Sequence, residues 1–199
     1  MPALWPAFIT TVGGFLDAKV PKTEEDTAIF ISNAYRVAVA TSTIQLAPLP
    51  FLPTTILITP DSTGIKDGIL NVFNKCKQTN SIQKSHFELL ANELISFWEN
   101  VEWNPVPPPT GYSGPDPSGM PLIKPGINID FLGDPSALSS SLHSVFTPPP
   151  IPGPGGIIFA TRLANAFQSH MYSLSGYYKG LTAATPPAPG PNFPWAIVT

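Results

Sequence analysis

The chain has 199 residues, a formal net charge of −3, 43% hydrophobic residues and 12% charged residues. Its apolar content is enough for one domain-sized core, but its charge is about half the usual quarter of a soluble domain. No cluster of Lys or Arg offers an electrostatic footprint for nucleic acid, and no apolar run is long enough to span a bilayer. A surface with so little charge is expected either to be buried against partners or to be a Ser/Thr/Asn-rich surface of a small monomer. The single cysteine, Cys76, excludes an intramolecular disulfide framework and fits a reducing compartment at synthesis.

In chain order, the N-terminal stretch is apolar, and Lys19 is its first basic residue, so the positive n-region of a secretory signal is missing. Trp5, Phe8, Ile9, Val12, Phe15 and Leu16 fall at helical spacing and form one apolar stripe. That stripe is read as core, or as a docking arm in which Trp5 and Phe8 touch a partner. Glu24, Glu25 and Asp26 open a second helix, where acidic side chains favour the positive end of the dipole. Ala28, Ile31, Tyr35 and Ala38 give it an apolar face.

Proline then punctuates the chain. There are 26, against roughly 5% in average usage, clustered at 48–53, 105–109, 148–156 and 186–191. Such stretches cannot be helix interiors and are expected to be extended or polyproline-like. After the first cluster, Asp61 or Ser62 caps a helix that carries Ile65, Ile69, Val72, Phe73 and Cys76 on one face. On that face Cys76 reads as a structural thiol, although Lys75 and Lys77 adjoin it. A further helix carries Phe87, Leu90, Ala91, Leu94, Ile95 and Trp98. Trp103 and the prolines around Pro107 and Pro108 follow. The stretch "GYSGPDPSGMP" at 111–121 is the most loop-like of the chain and marks a boundary. Asp134 before Pro135 caps the next helix, with Leu138, Leu142, Val145 and Phe146 on its face. The last helix carries Leu163, Ala164, Phe167, Met171 and Leu174, and the prolines around Pro187 lead to Trp195.

These elements repeat. At an offset of 73, Pro48-Leu49 falls on Pro121-Leu122, Asp61 on Asp134, Val72-Phe73 on Val145-Phe146 and Leu90-Ala91-Asn92 on Leu163-Ala164-Asn165. "ISNAY" at 31–35 is a fainter third copy of "LANEL" and "LANAF". A tandem duplication is the expectation. It predicts a mainly α fold of repeated helix-pair units joined by Pro-rich extended connectors, with at most short strands. The units are 1–47, 48–120 and 121–199, packed as one compact domain. Asn33, Asn92 and Asn165 sit beside their apolar stripes. Each is read as an amide tying its helix to a connector or neighbouring subunit, or as a shared solvated boundary position.

No stretch announces a chemistry. His86, His143 and His170 lack neighbours at metal-ligand spacing and read as isolated surface histidines. No G-x-S-x-G, P-loop or G-x-G-x-x-G occurs, and "GPGG" at 153–156 reads as a hinge before a helix. Asp116, Asp130 and Asp134 lack an EF-hand pattern. The expectation is no catalytic residue, cofactor, metal or small-molecule substrate.

The stretches "LWPAFITTVGGFLDAK", "SFWENVEWNPVPPPTG" and "TPPAPGP" together resemble small virion proteins of T4-like contractile-tailed phages. The resemblance lies in the layout, an apolar first helix followed by short helices that each run into a proline-rich connector. It implies a structural role in a particle, with other virion proteins or copies of the same chain as partners, and a virion location after synthesis in the host cytoplasm. The alternative is a soluble adaptor that offers exposed polyproline segments to aromatic grooves. Contact residues under either reading are Trp5, Phe8, Asn33, Asn92, Asn165, Trp103, Pro107, Pro108, Pro187 and Trp195.

Overall fold

The computed structural model of the chain describes residues 4–46, 54–103, 126–147, 155–181 and 189–198. The fold is mainly helical. Its helices are α1 (Trp5–Asp17), α2 (Glu24–Val39), α3 (Thr63–Thr79), α4 (Glu88–Glu99), α5 (Pro135–Phe146) and α6 (Gly155–Ser173), with a 3-10 turn at Lys84–Phe87 before α4.

The start signals work as their chemistry requires. Thr23 and Asp26 form a reciprocal capping box at α2: the Asp26 N–H donates to Thr23 Oγ1 at 3.0 Å, and the Thr23 N–H donates to Asp26 Oδ2 at 3.0 Å. At α3, Ser62 is the N-cap residue, while Asp61 Oδ1 accepts the Thr63 N–H at 2.8 Å. Asp134 caps α5 by accepting the Ser136 N–H at 2.8 Å, with Pro135 as the first helical residue. Each device satisfies a backbone donor that a helix start leaves orphaned.

The helices pack in a ring. Each lies against the next in sequence, and α6 returns to lie along α1. Three of them, α2, α4 and α6, bury one shared pattern when Asn33, Asn92 and Asn165 are aligned. The first buries Ala28, Ile31, Ser32, Tyr35, Ala38 and Val39, ending at Ser42. The second buries Phe87, Leu90, Ala91, Leu94, Phe97 and Trp98, ending at Val101. The third buries Ala160, Leu163, Ala164, Phe167, His170 and Met171, ending at Leu174. The spacing is that of one face of an α-helix. Among α3 and α5, Ile65, Ile69 and Val72 are buried as Leu138, Leu142 and Val145 are.

At the middle of the ring the second helices meet through aromatic rings. Tyr35 of α2 packs edge-on to Phe167 of α6 with centroids 4.7 Å apart, and to Phe97 of α4 at 5.4 Å. Trp98 of α4 donates its Nε1–H to the Tyr35 hydroxyl at 2.8 Å, fully buried. Burial pushes the Tyr35 phenol well above its ordinary value, against the smaller opposing effect of the Trp98 hydrogen bond. One continuous cluster of buried apolar side chains runs from Trp5 to Leu174, so the core does not divide at the unit boundaries of 48 and 121.

Strands accompany the helices, and their joining into one sheet goes beyond the sequence expectation. The strands β1 (Thr43–Leu46), β2 (Thr54–Ile58), β3 (Glu102–Trp103), β4 (Gly126–Phe131), β5 (Ser175–Leu181) and β6 (Pro189–Val198) form one six-stranded sheet in the order β3-β2-β1-β6-β5-β4. Every pairing is antiparallel. The physical reason lies in β-branched and aromatic runs such as Thr54-Thr55-Ile56-Leu57-Ile58, whose strand preference the nearby prolines mask. Prolines enter β6 itself, at Pro189, Pro191 and Pro194, without breaking it. β1 pairs with β6 only over Trp195–Val198, so those prolines lie where β5 alone is the registered neighbour. A strand flanked on one side tolerates residues that lack a donor.

Candidate interaction surface

The predicted contact residues divide by where the fold puts them. Trp5 is 4% exposed and packs against Tyr35 and Phe167, with centroids 6.2 Å and 6.5 Å away. Of the two readings of this stripe, the fold places Trp5 in the core, where its large apolar area is buried within the chain. Phe8 is 2% exposed and likewise packs on Phe167, while one edge of it floors a surface groove described below. Trp103 on β3 stacks on Trp98 at 6.5 Å and packs against the core. Trp195 lies on β6, paired in register with Leu46 and Gly176. Pro107, Pro108 and Pro187 lie outside the described residues.

The three asparagines share a register but not a bond. Asn33 Oδ1 accepts the Ser62 hydroxyl at 2.9 Å, tying α2 to the start of α3. Asn92 and Asn165 are exposed and make no side-chain hydrogen bond among the described residues. Asn92 borders a cleft with Lys84, Glu88, Pro135 and Ser136. Asn33 thus makes a tying bond, while Asn92 and Asn165 stand at exposed boundary positions, the other of the two readings.

The histidine reading also changes. His86 and His170 are 3% and 5% exposed, so they are core histidines and not surface ones. His86 Nδ1 lies 3.5 Å from Cys76 Sγ and takes the Gln83 N–H at 3.4 Å. Burial raises the Cys76 thiol's pKa, the direction that keeps a thiol unreactive. His170 Nε2–H donates to the Leu132 carbonyl at 2.9 Å, while its Nδ1 is buried with no partner among the described residues. Burial lowers its pKa, opposed by the Leu132 bond. Neighbouring Gly133 has φ +91°, a left-handed conformation suited to glycine, and a Cβ there would meet His170 Cδ2 at 2.9 Å.

The glycine-rich entry to α6 has a partner that sequence reading missed. The Gly156 N–H donates to Asp17 Oδ1 at 2.8 Å, so a carboxylate from the end of α1 fills the anion-favouring start of α6. Beside it Gly13 lets α1 and α6 approach: a Cβ on Gly13 would lie 2.8 Å from the Ile157 Cα. Among the described residues no group of three or more His, Cys, Asp or Glu is placed to hold a metal ion, and no helix is long and apolar enough to cross a membrane.

The surface feature that stands out is a groove of about 760 Å³ between α1 and α2. Leu4, Ala7, Phe8, Phe15, Ile29, Phe30, Ala34 and Val37 line it, with Lys22 and Asp26 at one end. Phe15 and Phe30 stack at 4.0 Å across its floor, and the Lys22 Nζ lies 5.3 Å from the Phe15 ring centre. Val20 and Val37 on its rim are 67% and 62% exposed, and Leu4 and Ile29 about 40%. The comparable cleft between α3 and α4 is lined instead by Asp61, Glu93, Ser96 and Asn100, with little apolar surface beyond Ile65 and Phe97. Comparison with known proteins returns no matching family model, no similar curated protein and no matching solved structure.

Proposed function

We propose that this chain is a structural assembly protein of a virus particle, placed in the tail, baseplate, neck or capsid surface and working through subunit contacts. The observation that carries the reading is the exposed apolar groove between α1 and α2 on a chain with only 12% charged residues. A contiguous apolar face rimmed by few charges is the property of a surface that is covered in use. The buried polar groups near it and elsewhere serve packing: Tyr35 with Trp98, His86 with Cys76, and His170 with Leu132. No catalytic role is assigned to any of them.

The chain is further proposed to be three diverged copies of one helix-pair unit joined by proline-rich connectors. The shared burial register of α2, α4 and α6 supports this. So does the matching order of strand, two helices and strand in 54–103 and in 126–181. Around α1 and α2 the flanking strands are β1 and β6, which pair with each other as β2 pairs with β3 and β4 with β5. One chain would then present three related faces to its surroundings, and the α1/α2 face carries the apolar groove.

Mass spectrometry of purified particles tests the assembly reading. The chain is expected in a fixed stoichiometry with the major virion proteins, and its absence from intact particles would sink the proposal. The adaptor reading draws on the 26 prolines and predicts something different. It requires proline-directed binding of aromatic-groove domains by the isolated chain, measurable by titration calorimetry.

A further inference from the structure

We infer that the α1/α2 groove is the interface of a two-fold dimer, occupied by the same groove of a second copy of this chain. For its biological meaning this rests on the assembly reading, but the contact itself belongs to the chain alone.

The first argument comes from the related helices. Along α2 the groove wall presents Ile29, Ala34 and Val37. Aligned on the shared asparagine, Ile29 and Val37 correspond to Glu88 and Ser96 of α4 and to Thr161 and Ser169 of α6, while the place of Ala34 is taken by Glu93 in α4 and by the buried Ala166 in α6. Helices that bury the same face in the same register therefore differ on the outward face. Ile29 and Val37 stand where the other two helices carry Glu, Thr or Ser. Leaving branched aliphatic side chains in water at Val37 (62% exposed) and Val20 (67% exposed) forgoes the stabilisation that covering them supplies. At these two positions the apolar side chains are peculiar to α2, so they are not a general feature of how the unit folds.

The second argument identifies the occupant by charge. The groove has one charged rung, at the α1–α2 connection, and it holds both signs: Lys22 and Asp26. Lys22 bonds the Ala18 and Leu16 carbonyls at the end of α1, and Asp26 closes the capping box of α2, so both are held in place. A two-fold axis running along the groove sets each depth of one copy beside the same depth of the other. Lys22 then faces the second copy's Asp26, and Ile29 and Val37 face their own kind. The antiparallel placement would instead set the charged rung against the apolar Leu4 and Val37, where the second copy offers no group of opposite charge. Self-complementarity of this kind is what an isologous interface requires.

Sedimentation equilibrium of the purified full chain tests the inference. The wild type is expected to dimerise. Val37→Glu and, separately, Ile29→Lys should weaken the dimer by at least ~10-fold, as central interface positions do. Both positions are surface-exposed, and circular dichroism checks that each variant keeps its fold. Register is read separately: Val37→Cys in a Cys76→Ser background should form an intermolecular disulfide on mild oxidation. A chain that stays monomeric at its highest soluble concentration overturns the inference. So does a dimer indifferent to both groove substitutions, or one in which the Val37→Cys chain fails to cross-link. If the chain is monomeric but Val37→Glu is lost from particles, the groove's occupant is another virion protein and the second copy is rejected, while the assembly reading stands.

Discussion

Two buried side chains, Tyr35 and His170, each make one side-chain hydrogen bond and each carry a measurable consequence. Tyr35 stands where α2, α4 and α6 converge, and its hydroxyl takes the Trp98 Nε1–H at 2.8 Å. Tyr35→Phe removes the acceptor and keeps the ring, leaving the indole N–H buried and unpaired. The expected cost is about 1–3 kcal/mol, read from urea unfolding followed by Trp fluorescence. A value near zero would mean that the hydroxyl contributes nothing at this crossing. His170 predicts a pH dependence. Its folded pKa is lowered from the ordinary value of 6.5, chiefly by burial, so the unfolded chain binds the proton more readily. Stability from the neutral ring is then fully present above about pH 6.5 and is lost as pH falls through the folded value. The protonated ring would carry a second N–H at Nδ1, which has no acceptor among the described residues. Unfolding midpoints taken between neutral and mildly acidic pH should fall, and His170→Phe, which copies Phe97 of α4, should flatten that fall. An unchanged slope in the variant assigns the pH dependence elsewhere.

Among the elements, α1 and α6 approach closely at Gly13, and adjacent glycines in α1 separate packing from helix propensity. A Cβ on Gly13 would meet the Ile157 backbone at 2.8 Å, whereas a Cβ on Gly14 would meet nothing within 4 Å. Gly13→Ala should therefore destabilise by about 1–3 kcal/mol through overpacking. Gly14→Ala should stabilise by roughly 0.5–1 kcal/mol through helix propensity. Thermal melts of the two single variants check the opposite signs, and two shifts of the same sign would refute the account of the contact. The helices themselves were legible because their signals are local. Asp134-Pro135 and the acidic run from Glu24 mark starts, and the 3.6-residue period of Leu90, Ala91, Leu94 and Trp98 marks a buried face. The strands were not, because Gly, Pro and Lys interrupt the alternation in β5 and β6, and partner strands come from distant sequence. β6 pairs with β1 across nearly the whole chain. The groove was hidden for a different reason. Trp5 and Phe8 look like the exposed contacts of an apolar stripe, yet they turn inward, and the outward apolar surface comes from the less conspicuous Val20, Ile29 and Val37.

For the molecule as a whole, the decisive feature is that the sequence units do not coincide with independent cores. Residues 48–120 carry α3 and α4 together with β2 and β3, and pattern alone would let that unit stand by itself. In the fold, its largest fully buried side chain, Trp98, gives its indole N–H to Tyr35 of α2, and Phe97 packs on the same tyrosine. Phe87, at the start of α4, packs instead on Phe146 of α5 with centroids 5.1 Å apart. The α3/α4 pair is thus completed by groups from both neighbours in the ring. Cutting it out would expose these three aromatics and leave the indole without its buried partner, in a fragment of a size that is only marginally stable even with a complete core. The fragment 48–120 is therefore expected to lack cooperative thermal unfolding and dispersed amide resonances. The full chain, held by one continuous core, is expected to unfold in a single transition with coincident far-UV and near-UV signals. A cooperatively folding fragment, or two separated transitions in the full chain, would show that the ring is a set of independent domains. A single transition has a consequence for the proposed dimer. Closing the α1/α2 groove on a second copy would then raise the stability of the whole ring, α4 and α5 included, and the melting temperature should rise with protein concentration.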